Sequence, residues 1–152
     1  MNKKVIIGYL VEVVLSSAIL ALLLLTTDRK LLISVACTHA KDFATFIIAP
    51  MFVASVGLIA ALFSITNSDF GEWLLSKKAL DVYLYAFGVS VVIYFFSTMA
   101  LILVNPQFNE ILILSTLWLL IIAIINIYSL IKNTFDLIRL NAKFNAIKKT
   151  KK

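Results

Sequence analysis

The chain has 152 residues, of which 62% are hydrophobic and only 14% charged, with a formal net charge of +6 and a mean hydropathy of +1.02. Soluble domains carry about a quarter charged residues, so a water-facing globule is excluded. A single cysteine, Cys37, excludes an internal disulfide. The positive charge lacks the interleaved aromatics or groove-reading motif that direct nucleic-acid binding requires.

Taken in order, four apolar runs predict an all-α polytopic membrane protein with four transmembrane helices in an antiparallel bundle. The first covers about 5–26, the second about 43–65, the third about 79–104 and the fourth about 110–131. Each approaches or exceeds the roughly 20 residues that a helix needs to cross a ~30 Å hydrocarbon core. Lys3 and Lys4 precede the first run, but it is longer than a signal-peptide core and ends without a small-residue cleavage site. A retained span is therefore expected. Residues 27–42 read as a connection. Pro50 lies inside the second run, where it removes a backbone donor and a kink is expected. Asp69 and Glu72, at capping-box-like spacing before Trp73, predict a short interfacial helix leading into the third run. Asn105-Pro106 stops that run, and residues 132–152 form a basic amphipathic tail.

Two of the 14 Lys and Arg precede the first run, two separate the second from the third, and seven follow the fourth, leaving three (Arg29, Lys30, Lys41) for the other side. The positive-inside rule then puts both termini in the cytoplasm, and the location expected is a bacterial inner membrane.

Lipid-embedded helices gain nothing by hiding leucine from lipid, so their contacts are recognised by small and hydroxylic residues. Such seams contain Gly8, Glu12 and Ser16 in the first run and Ala54, Gly57, Ala61 and Ser64 in the second. The third offers Tyr83, Phe87, Ser90, Tyr94 and Ser97, and the fourth Ser115, Ile122, Asn126 and Ser129. Of these, Gly8, Ala54, Gly57 and Ala61 are expected to serve helix packing.

The stretch "GYLVEVVLSS" places Glu12 inside the first run. Counted from the run ends, Glu12 and Asn126 have about the same depth, roughly 10 Å from the terminus-side edge at 1.5 Å per residue. An intramembrane polar cluster of Glu12, Ser16, Ser64, Tyr85, Asn126 and Ser129 is expected there. No basic residue shares the level. Burial disfavours a charged carboxylate, so a neutral acid hydrogen-bonded near Asn126 is the expected state. An ionisable residue in a span is also a default functional candidate.

The segment "VEVVLSS" resembles the first helix of the small multidrug resistance transporters. That resemblance implies proton exchange at Glu12 against a cationic drug. By layout, the four runs with the tail "DLIRLNAKFNAIKKTKK" resemble small membrane subunits of bacterial anti-phage systems, such as the KwaA-like subunits of Kiwa. This second resemblance implies an oligomer that holds a soluble effector at the inner membrane. Immunity proteins against pore-forming toxins share the outline.

Within the tail, Leu137, Leu140, Phe144 and Ile147 recur at three- and four-residue steps. With Lys132, Arg139, Lys143, Lys148 and Lys149 they form a candidate surface for anionic headgroups or for a soluble cytoplasmic protein. No catalytic constellation is present. His39 and Cys37 are too few for a protein-built metal site, and no cofactor is expected. The function expected from the sequence is that of a non-enzymatic, homo-oligomeric membrane subunit.

Overall fold

A computed structural model describes residues 3–150. Its helices are α1 (Lys3–Thr26), α2 (Arg29–Phe43), a π turn (Ala44–Ile48), α3 (Ala49–Ile65), α4 (Asp69–Ser76), α5 (Leu80–Leu103) and α6 (Glu110–Thr150). Four helical stretches are long and apolar enough to cross a membrane: Ile7–Thr26, Arg29–Ile65, Leu80–Leu103 and Glu110–Thr150. The chain is a multi-pass membrane protein.

The second stretch differs from expectation. Residues 29–42, read from sequence as part of a connection, are helical and run on through Phe43 and the π turn into α3 as one continuous rod of 37 residues. That is about 55 Å at 1.5 Å per residue. Asp28 starts it, its side chain accepting the Lys30 N–H at 2.8 Å. No Gly or Pro interrupts the chain from Asp28 to Ala49. Pro50 cannot donate to the turn before it, and its ring crowds the carbonyl four residues back. The helix answers with the π turn, in which the Ala49 N–H bonds to the Ala44 carbonyl.

The remaining boundaries follow local chemistry. Ser68, in extended conformation, is the N-cap of α4 and accepts the Gly71 N–H at 3.2 Å. Asp69 and Glu72, whose spacing suggested the cap, fall in the first turn instead, where negative charge complements the helix dipole. Asn105 and Asn109 shape the tight link from α5 to α6. Their side chains accept the Gln107 and Ile111 N–H groups at 3.0 and 3.1 Å.

α5 is the central helix. Its Phe87, Tyr94 and Leu101 are buried, and they join Ile48 from the π turn, Leu62 from α3 and Leu120, Ala123 and Leu130 from α6 in one core. α1 lies at the edge, with most of its leucines and valines exposed. At one end of the molecule the start of α2 meets the start of α6 through Arg29 Nε and Glu110 Oε2 at 3.1 Å. Toward the other end α4 packs on the far part of α6. Phe70, Trp73 and Phe144 form a three-ring cluster with centroids 5.6–6.0 Å apart.

Gly71 allows α4 to sit against the end of α3. A Cβ there would lie 2.1 Å from the Ile65 carbonyl oxygen and 2.7 Å from the Thr66 Cα, both backbone atoms that cannot yield. Gly71→Ala should therefore lift α4 away from α3. The expected cost is about 1–3 kcal/mol, measured by SDS titration with Trp73 fluorescence as the reporter.

Candidate functional site

The first site lies between α1, α5 and α6. Glu12 is buried, and its carboxylate Oε2 accepts the Asn126 Nδ2–H at 3.0 Å. One turn earlier, the Tyr9 hydroxyl donates to the Ala86 carbonyl at 2.8 Å. One turn later, the buried Ser16 hydroxyl donates to the Glu12 carbonyl at 2.7 Å. At the next level Trp118 Nε1 donates to Ser17 Oγ at 3.2 Å. Glu12, Tyr9 and Ser17 thus fasten an otherwise lipid-facing α1 to α5 and α6 with three polar contacts. The Ser97 hydroxyl, donating to the Leu119 carbonyl at 3.2 Å, adds a tie between α5 and α6.

The Tyr94 hydroxyl and Asn126 Oδ1 are buried without a hydrogen-bond partner among the described residues. Such groups cost about 1–3 kcal/mol each. Their persistence marks a polar layer in an apolar bundle. Beside it, a cavity of about 480 Å³ opens sideways between α1, α5 and α6, with Tyr9, Glu12, Val89, Phe96, Trp118 and Ile122 in its wall. Its lining is aromatic and aliphatic almost throughout, because the Glu12 carboxylate is turned to Asn126.

Among the expected cluster, the structure joins Glu12, Ser16 and Asn126. Ser64 lies apart, exposed near the far end of α3, its hydroxyl donating to the Ala61 carbonyl at 2.8 Å. Tyr85 is 43% exposed, and Ser129 shares the wall of a neighbouring cleft with Tyr9. Sequence reading left out Tyr9, although it stands one turn before Glu12 on the same face. Tyr94, listed in the third seam, is the buried ring of that layer.

The seam expected on the second span is not used within the chain. Ala54, Gly57, Ala61 and Ser64 are exposed, and a Cβ at Gly57 would meet nothing within 4 Å. α3 packs instead through buried Ser55 and Leu62. Gly8 likewise has open space around it.

The tail is a second site. Lys132 and the residues after it continue α6 as a helix to Thr150. Leu137, Leu140 and Phe144 turn toward the protein's own core, while Ile147 stays 54% exposed. Lys148 forms an ion pair with Asp69 on α4. Arg139, Lys143 and Lys149 stay exposed, Arg139 with Asp136 at 3.9 Å. Where this extension leaves the bundle, Lys77, Lys78 and Lys132 line a cleft of about 560 Å³ together with Tyr83, Ser129 and Asn133. None of the three lysines forms an ion pair with a described residue.

No model of a known protein family, no curated protein and no solved structure matches this chain.

Two outcomes follow from these contacts. Asn126→Ala leaves the Glu12 carboxyl buried without its donor and should cost about 1–3 kcal/mol. Glu12→Gln keeps an oxygen acceptor and should cost less, and a double-mutant cycle in SDS unfolding should give a coupling near the ~0.6–1.7 kcal/mol of interhelical hydrogen bonds in membranes. Asp69 is held below the usual carboxylate value of 3.8, first by the hydrogen bond from Lys148 and then by its charge. The contribution of this pair is complete above that value and is lost as pH falls through the lower folded-state value. Protease protection of the segment after Lys132 should therefore be flat from neutral pH down to that range and fall only below it.

Proposed function

We propose that the chain is a non-enzymatic subunit of a bacterial cytoplasmic membrane that oligomerises and presents its braced α6 extension to a soluble cytoplasmic partner. The reading takes the four spans as an antiparallel bundle with both termini in the cytoplasm. The basic cleft around Lys77, Lys78 and Lys132 then lies at the level of anionic headgroups.

One observation carries this. α6 does not stop where its apolar run stops but continues for about five further turns, at 3.6 residues per turn. A loose lysine tail would serve topology alone. Here α4 clamps the extension through Phe70, Trp73 and the Asp69–Lys148 pair, which leaves Arg139, Lys143, Ile147 and Lys149 exposed. Ordering these side chains before a partner arrives lowers the entropic cost of binding. A role in antiviral defence follows from the likeness of layout alone.

The second reading is a small proton-coupled exporter using Glu12. What favours it is the cavity beside the buried Glu12, whose aromatic wall would suit an apolar cation. A toxin-immunity role gains no separate support.

A mild-detergent pull-down from native membranes separates the readings. The full chain should retain a stoichiometric soluble protein. A chain ending at Asn133 and the triple variant Arg139→Glu, Lys143→Glu, Lys149→Glu should both lose it, while Glu12→Gln should keep it. Full retention by the triple variant, or the absence of any soluble protein from the full chain, would count against the anchor. Loss of cation export on Glu12→Gln with assembly intact would establish the exporter.

A further inference from the structure

Lys30, Ser34, Thr38, Lys41 and Asp42 on α2 and Thr45 in the π turn are all exposed. Their spacing of three and four places them on one side of the helix, as a polar stripe about 22 Å long at 1.5 Å per residue. His39 flanks it, with Nδ1 3.7 Å from Asp42 Oδ2. No other described residue covers the stripe, and Lys41 forms no ion pair among the described residues.

The depth of this stripe is the difficulty it poses. α1 ends its apolar run at Thr26, α5 at Leu103, and α6 begins at Glu110. The Arg29–Glu110 pair pins the start of α2 to that same level. Lys41 therefore lies about 18 Å further along the rod, near the middle of a ~30 Å hydrocarbon core. Phe43 shares a cavity wall with Leu117 and Leu120, about 10–15 Å past the start of α6 at 1.5 Å per residue. Charged groups at such a depth face protein or a water-filled space rather than lipid. A soluble partner does not reach the midplane.

We propose that a second copy of this chain covers the α2 stripe. Facing stripes are self-complementary, because Lys41 and Asp42 are neighbours and each copy can offer the opposite charge to the other. The hydroxyls of Ser34, Thr38 and Thr45 supply donors and acceptors for hydrogen bonds between helices. The seam so formed is a hydrated, charged crevice between copies, unlike the dry contacts of α5 with α3. The inference deepens the oligomerising part of the proposed function and does not depend on the α6 partner.

Single-cysteine variants in a Cys37→Ser background test it in native membranes. Thr38→Cys should give disulfide-linked dimers under copper phenanthroline and should react with a membrane-impermeant maleimide once the disulfide is reduced. Val14→Cys, at a 67% exposed position on the aliphatic face of α1, should do neither. Lys41→Asp should abolish the Thr38→Cys cross-link, and adding Asp42→Lys should restore it. Labelling of Thr38→Cys without cross-linking would leave α2 facing water rather than a second copy and overturn the inference. So would silence at both positions, which would leave the stripe in lipid or against a different protein. Neither failure touches the pull-down, because a single copy could still hold a soluble partner through α6.

Discussion

Inside a bilayer, leucine has no reason to leave lipid, so the arrangement of this chain depends on its few polar contacts. The contact between Glu12 and Asn126 is the most consequential of them. α1 exposes most of its aliphatic surface, and without fasteners it would slide or detach at little cost. Glu12 fixes its rotation and depth against α6, Tyr9 holds it to α5, and Ser17 receives the Trp118 indole. The layer that results also leaves Tyr94 and Asn126 with unused hydrogen-bonding capacity, and it borders a sizeable apolar cavity. A packing device and a potential binding feature therefore share the same residues.

The two long rods, Arg29–Ile65 and Glu110–Thr150, give the molecule its second character. Each has an apolar half and a polar half, and the Arg29–Glu110 contact sets them with those halves out of phase. Where α6 is apolar, its neighbour α2 carries a polar stripe. Where α6 turns polar, α3 carries an exposed small-residue face. Neither mismatch is resolved within one chain, because each needs a surface of matching polarity at its own level. Assembly, as proposed above, would cover both exposed faces.

Much of this was legible in the sequence, and the exceptions have identifiable causes. Four apolar runs and the stop at Asn105-Pro106 follow from length and turn chemistry. Counting depth from the run ends was enough to put Glu12 level with Asn126, because rise per residue is fixed in a straight helix. The same counting failed for Ser64, since depth says nothing about which way a side chain points. α2 was hidden because His39, Lys41 and Asp42 depress local hydropathy, and a hydropathy reading treats such a segment as a loop. The available signal was the absence of any Gly or Pro from Asp28 to Ala49 together with polar residues recurring at helical steps. The seam on the second span was recognisable by its small residues, but the sequence does not say whether such a seam meets its own chain or another. The clamp of α4 on α6 depends on Phe144 meeting Phe70 and Trp73 across more than seventy residues of chain, which no local pattern discloses.

The central claim is that this membrane subunit works through assembly. Native mass spectrometry of particles released in their own lipid measures that directly, because the 17.0 kDa chain mass gives the copy number and any extra mass reveals a bound soluble protein. The account predicts two or more copies per particle together with a soluble component. A particle containing a single copy and nothing else would contradict it.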